Sequence, residues 1–151
     1  MDCWYQIGRD VFMGLFTGIV ASACYEWLVA RRKANSLRAK FAFLDGDYEE
    51  KHRIEAQGFP TGGRVRVSYC GGSKFLTQGI HKDGHQEWHG EIFMDQEAAV
   101  LGEGFYSHND KDDTGIHRVI YNPTEKHFNV AGRNTSQSNG ARFNMIWQRR
   151  K

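Results

Sequence analysis

Residues 11–30, VFMGLFTGIVASACYEWLVA, form a nearly uncharged stretch whose single charged residue, Glu26, lies close to its end. At a rise of about 1.5 Å per residue, a helix of this length reaches about 30 Å, the thickness of the hydrocarbon core of a bilayer. Trp4 and Tyr5 before the stretch and Trp27 near its end match the aromatic belts of the two membrane interfaces. The stretch therefore predicts one transmembrane helix.

The charges that follow this helix predict its orientation. Residues 31–40 contain five basic side chains and no acidic one. Positively charged flanks resist translocation, so the C-terminal side is predicted to stay in the cytoplasm. We therefore predict a single-pass anchor over 1–33, a basic neck over 34–40 and a cytoplasmic domain over 41–151.

Small residues repeat at intervals of four along the apolar stretch, at Gly14, Gly18 and Ser22. On a helix these positions share one face, where a second helix can approach closely. The repeat predicts a homo-oligomer formed through the membrane helix.

Two other interpretations of the apolar stretch stay open. It could be the core helix of a soluble protein. It could also be a cleaved leader, because small residues precede Cys24 much as they do in a lipoprotein cleavage site. Cleavage there would lipidate Cys24 and place the rest of the chain outside the cytoplasm.

Beyond residue 40 the sequence becomes rich in β-branched and aromatic residues separated by turn signals such as Asp83-Gly84 and Asn139-Gly140. The predicted strands are 41–49, 64–69, 74–81, 86–95, 98–107, 115–121, 127–134 and 142–148. Connections after the first are short, so sequence neighbours are predicted to pair antiparallel. The predicted fold is mostly β: an N-terminal transmembrane helix followed by an eight-stranded antiparallel up-and-down, lipocalin-like barrel.

Alternation along the strands places several aromatic and polar side chains inside this barrel. Together they offer stacking surfaces and hydrogen-bonding groups suited to a flat polar ligand such as a base. The predicted ligand-binding residues are Trp88, Tyr106, His117, Tyr121 and Asn134. The alternative is that these side chains simply fill the barrel.

The sequence contains no nucleophile elbow, phosphate-binding loop or His-Glu-x-x-His pattern, so we predict no enzyme, no catalytic residue and no cofactor. His81, His85 and His89 repeat every four residues, but Asp83-Gly84 would break a helix between them, and no metal site is predicted. The balance of 20 Lys and Arg against 18 Asp and Glu argues against binding to DNA or RNA.

The order of helix, basic neck and barrel resembles the membrane-anchored β-barrel effectors of bacterial cyclic-oligonucleotide antiphage systems (CBASS). The similar stretches are WHGEI at 88–92, GEGFY at 102–106, TGIH at 114–117 and IWQR at 146–149. The resemblance implies that a cyclic di- or oligonucleotide enters the barrel, and that the anchored chains then oligomerise and disrupt the bacterial inner (plasma) membrane. Those effectors usually have two membrane helices, whereas this chain offers one.

Two further functions stay open from the sequence. One is a membrane- or lipid-tethered carrier of a small apolar ligand, which would use the same barrel. The other is a tethered scaffold whose filled barrel binds another protein.

Overall fold

A computed structural model describes residues 2–52, 63–109, 112–136, 140 and 142–150. The chain divides into two compact units, Met1–Ser36 and Leu37–Lys151. Within the described ranges it forms one long helix, a short 3-10 helix and eight strands.

Helix α1 (Asp2–Phe41) extends beyond the predicted apolar stretch at both ends, and at its C-terminal end it continues through the basic residues. Residues 31–41 contain neither glycine nor proline, so nothing in the sequence ends the helix earlier. Its apolar side chains are exposed, with Phe12 at 67% and Ile19 at 68% of full exposure. By length and composition, α1 could cross a membrane.

The first predicted strand, 41–49, is wrong in its first half. Phe41 ends α1, and the 3-10 helix η1 (Ala42–Leu44) follows it. Phe41 and Leu44 are fully buried while Phe43 is partly exposed, which is the spacing of a helical turn rather than the alternation of a strand. Strand β1 (Gly46–His52) begins only after this turn.

The remaining strands follow the predicted order. They are β2 (Arg64–Gly71), β3 (Lys74–Ile80), β4 (Gln86–Met94), β5 (Leu101–His108), β6 (Thr114–Asn122), β7 (His127–Asn134) and β8 (Arg142–Arg149). Each pairs antiparallel with its sequence neighbours, and β1 pairs with β8, for example Glu50 with Trp147. The predicted eight-stranded antiparallel barrel is confirmed.

Strand β5 starts three residues later than predicted because residues 95–98 form a turn. The Asp95 carboxylate accepts hydrogen bonds from the backbone N–H groups of Glu97 and Ala98, at 2.7 Å each. Ala99 then takes a positive φ of 52°. A side-chain-capped turn of this kind replaces the first part of the predicted strand.

One end of the barrel is closed by residues from the end of α1 and from η1. The Phe41 ring meets the Phe75 ring edge-on at 6.0 Å, and the Tyr48 hydroxyl donates a 2.8 Å hydrogen bond to the Leu44 carbonyl oxygen. The β3–β4, β5–β6 and β7–β8 connections lie at the opposite end, which we call the distal end.

Candidate ligand site at the distal end of the barrel

Three aromatic side chains near the distal end each lie against a glycine that is their register partner on a neighbouring strand. The pairs are Trp88 with Gly79, Tyr106 with Gly115, and Phe143 with Gly132. A Cβ on Gly79 would stand 1.9 Å from Nε1 of Trp88, and the other two glycines would meet their partner rings at 2.4 and 2.2 Å. These positions therefore need glycine, because any side chain there would displace the ring.

The rings of Trp88, Trp147, Tyr106 and His117 form one continuous cluster. Trp88 stacks on Trp147 with centroids 5.8 Å apart, and Tyr106 stacks on His117 at 6.2 Å. Trp88 meets Tyr106, and His117 meets Trp147, edge-on. The structure thus brings together three of the predicted ligand residues and adds Trp147, which the sequence placed inside the barrel without assigning it to the site.

The other two predicted residues occupy different places. Asn134 reaches the cluster through Asp113, since its Nδ2 and the Tyr106 hydroxyl both donate to Oδ1 of that carboxylate, the hydroxyl at 3.2 Å. Tyr121 reaches the cluster indirectly, through Phe128, whose ring meets that of Trp147 edge-on at 6.1 Å. The Tyr121 ring itself lies 4.9 Å from Phe128 and 5.3 Å from Phe43, close to η1. Tyr121 belongs to the core that closes the opposite end.

Glu50 brings into the barrel a carboxyl group that is not among the ligand-binding residues predicted from the sequence. It pairs in register with Trp147. Burial, and then the negative charge of Glu87, raise the pKa of Glu50 to about 7, against a smaller lowering by its hydrogen bond to Trp147. The predicted strand stopped one residue short of Glu50, although its alternation with Tyr48 indicated an inward position.

Glu87 comes close to this group because of an irregularity in the β3–β4 ladder. Gly79 pairs with Trp88 but Ile80 pairs with Gln86, so Glu87 is an extra residue on β4. Its carboxylate lies 3.4 Å from Nε2 of His108. Bulges of this kind re-aim side chains and are not visible in a regular alternation of the sequence.

Two buried polar atoms of the interior have no hydrogen-bond partner within the described part of the chain. They are Oγ1 of Thr77, which is 1% exposed, and Nε2 of His117, which is 5% exposed. Desolvation lowers the pKa of His117 to about 4, so its imidazole is neutral at pH 7. Because leaving such an atom unpaired costs about 1–3 kcal/mol, each calls for an explanation, such as a ligand or a water molecule.

No family model matches the chain, and no curated protein is similar to it in sequence. Among solved structures, the chain is similar to a redesigned β-barrel, mFAP1, in a structure bound to DFHBI. The TM-score is 0.54 and the identity 14%, over 73% of this chain and 98% of that one. At this identity the similarity shows the barrel fold alone.

Proposed function

We propose that this chain is a membrane-anchored sensor of the antiphage type, which binds a base of a cyclic di- or oligonucleotide inside its barrel. Binding would drive the α1 helices to associate and so disrupt the bacterial inner membrane. The observation that carries the ligand part is the ring cluster of Trp88, Trp147, Tyr106 and His117, with the unpaired atoms of Thr77 and His117 beside it.

A base matches these groups chemically. Its flat faces stack on aromatic rings, and each such contact contributes about 1–3 kcal/mol. Its edge carries donors and acceptors, which Oγ1 of Thr77 and Nε2 of His117 could satisfy. The neutral imidazole offers Nε2 as a donor or an acceptor according to its tautomer.

The charge of the interior bears on how a nucleotide would be oriented. At the distal end, none of the described inward residues is Lys or Arg, and Glu50 and Glu87 are acidic. A phosphate placed among them would be both desolvated and repelled. We therefore propose that the base enters the barrel while the phosphates remain outside the distal end.

The helix part of the proposal rests on the stripe of Gly14, Gly18 and Ser22. A Cβ at either glycine would meet nothing within 4 Å, so this face is free to receive another helix. A ligand shifts assembly only through its different affinity for the assembled and dispersed states. Tethering in one membrane raises the effective concentration of the chains, so a modest difference in affinity is enough.

The ligand is tested by thermal unfolding of the full-length protein in detergent with a panel of cyclic di- and oligonucleotides. A ligand that binds only the folded state must raise the unfolding temperature. The Trp88→Ala variant should lose this stabilisation. If no member of the panel stabilises the wild-type protein, the nucleotide proposal fails.

The assembly step is tested by expression in bacteria. The double substitution Gly14→Leu with Gly18→Leu should abolish toxicity while ligand stabilisation is unchanged. The matched control, Phe16→Leu with Val20→Leu, changes two residues on the other side of α1 and should leave toxicity intact. Undiminished killing by the glycine double variant would contradict the role of the stripe.

A second function is favoured by the acidic interior itself. Glu50 and Glu87 suit an uncharged or cationic flat compound better than an anion, as in a tethered carrier. Stabilisation by uncharged aromatic compounds, with none by cyclic nucleotides, would support the carrier. A lipid on Cys24, detected by mass spectrometry, would support it further.

A further inference from the structure

The tight connection between β3 and β4 brings three metal-ligating side chains together. Nδ1 of His81 lies 3.1 Å from Oδ1 of Asp83, and Nδ1 of His85 lies 2.5 Å from the same oxygen. All three ligand atoms lie within 4.8 Å of one another. The two imidazole rings stack with centroids 5.0 Å apart. Both histidines therefore present the same ring nitrogen to one carboxylate.

The backbone of the connection holds these side chains in place. The His81 N–H donates a 2.9 Å hydrogen bond to the His85 carbonyl oxygen, and the Gly84 N–H donates one of 2.9 Å to the His81 carbonyl oxygen. Gly84 has a φ of 94°, which favours glycine and closes the turn. Because the backbone is already ordered, binding of an ion here would cost little further conformational entropy.

We propose that His81, Asp83 and His85 form a binding site for a divalent transition-metal ion, of which Zn²⁺ is the representative. Imidazole nitrogen and carboxylate oxygen are preferred zinc ligands, at about 2.0–2.2 Å from the ion. Two ligand atoms at that distance in tetrahedral geometry are about 3.4 Å apart. To reach this spacing the Asp83 oxygen moves away from the two imidazole nitrogens, and the nitrogens, which lie within 4.8 Å of each other, adjust by rotation of the histidine side chains.

Three protein ligands leave a fourth position open. In zinc sites of this composition the fourth ligand is a water molecule or an exchangeable group. The site is exposed, with Asp83 at 60% and His85 at 53% side-chain exposure, so an ion can enter from solvent. A reversible site that responds to the metal concentration follows from this arrangement.

Because the proposed site lies in the β3–β4 connection, a bound ion would also hold the ends of these two strands together. Gly79 and Trp88, which pair in register, lie just before and just after it along the two strands. A metal ion that bridges His81 to His85 fixes this end of the hairpin. The proposal does not depend on what the barrel binds or on whether α1 spans a membrane.

His89 provides a matched control, because spacing alone would make it the third histidine of the series. Its Nδ1 lies 2.9 Å from Oδ1 of Asn109, so it contacts the β5–β6 connection. A hairpin places residues four apart differently from a helix, so His89 does not join His81 and His85, and Asp83 is the third member of the cluster. The structure therefore indicates Asp83 as the third ligand, whereas the four-residue spacing would indicate His89.

The test is titration of full-length protein in detergent, without a histidine tag, with ZnCl₂ against a chromogenic chelator. Cys3, Cys24 and Cys70 are replaced by serine in every sample to remove thiolate ligands. We expect one Zn²⁺ per chain. Asp83→Asn and His85→Ala should each weaken binding by about tenfold or more, since even residues that only support a ligand change affinity by about 10–100-fold. His89→Ala should bind Zn²⁺ as the parent does.

A second measurement guards against loss of folding. Zn²⁺ should raise the unfolding temperature of the parent and of His89→Ala but not of Asp83→Asn or His85→Ala, with circular dichroism showing the same sheet content in all four. Absence of saturable binding by the parent would overturn the proposal. So would an Asp83→Asn variant that keeps full affinity, or a His89→Ala variant that loses it.

Discussion

The substitution Glu50→Gln should stabilise the barrel at neutral and alkaline pH. The glutamine amide has nearly the same shape as the carboxyl group but carries no charge. In the folded chain, burial and the neighbouring Glu87 charge raise the pKa of Glu50 from 4.5 to about 7. The ionised form is therefore disfavoured inside the barrel, and the substitution removes that cost.

The sign and size of the difference in free energy of unfolding between Glu50→Gln and the wild type follow from proton linkage. The folded state holds the proton of Glu50 more tightly than the unfolded state does. The stability that protonated Glu50 contributes is therefore lost as the pH rises from 4.5 to about 7. At about 1.36 kcal/mol per pKa unit, the full loss is about 3 kcal/mol above pH 7. The difference between Glu50→Gln and the wild type should accordingly be small at pH 4.5 and about 3 kcal/mol at pH 8.

The measurement is urea unfolding followed by tryptophan fluorescence at pH values from 4.5 to 8, on full-length protein in detergent. Subtracting the wild-type curve cancels the other titrating groups. Glu49→Gln is the matched control, because its side chain is 52% exposed and should shift stability by no more than about 0.5 kcal/mol at any pH. A difference between Glu50→Gln and wild type that does not change with pH would refute the reasoning.

Two further predictions concern the same interior. His117→Phe should make the free energy of unfolding less dependent on pH on the acid side, as measured by urea unfolding. Desolvation lowers the pKa of His117 from 6.5 to about 4. The stability that the neutral imidazole contributes in the wild type is therefore present above pH 6.5 and is lost as the pH falls towards 4. Gly79→Ala should destabilise the barrel by about 1–3 kcal/mol and shift the fluorescence of Trp88, whose ring the new Cβ would displace; an unchanged spectrum would contradict the packing of that ring on Gly79.

The barrel itself was predictable because its strands alternate regularly and its connections carry strong turn signals. In β6 the buried positions 115, 117, 119 and 121 alternate with exposed ones, as the sequence indicated. The error at residues 41–45 arose because a short apolar run of four residues has no period of its own. Its placement depends on Phe41 and Leu44 filling the end of the barrel, which is a tertiary effect.

The candidate site was only partly predictable for a related reason. Alternation indicates whether a side chain points inward, but not where along the barrel axis it lies. Tyr121 and Tyr106 both point inward, yet register places the first beside Phe128 and the second opposite Gly115. Likewise, a helical spacing linked three histidines, whereas the turn at Asp83 brings only two of them together.

The pairing of β1 with β8 has a consequence for biosynthesis. A ribosome releases α1 and β1 long before Trp147, the partner of Glu50, so the nascent chain carries two unsatisfied strand edges until the eighth strand emerges. Closing the barrel pairs the first strand of the domain with the last. Contacts between residues so far apart in sequence slow folding. A protein lacking only β8 would keep seven of its strands and still expose both edges to other nascent chains, with aggregation as the expected fate.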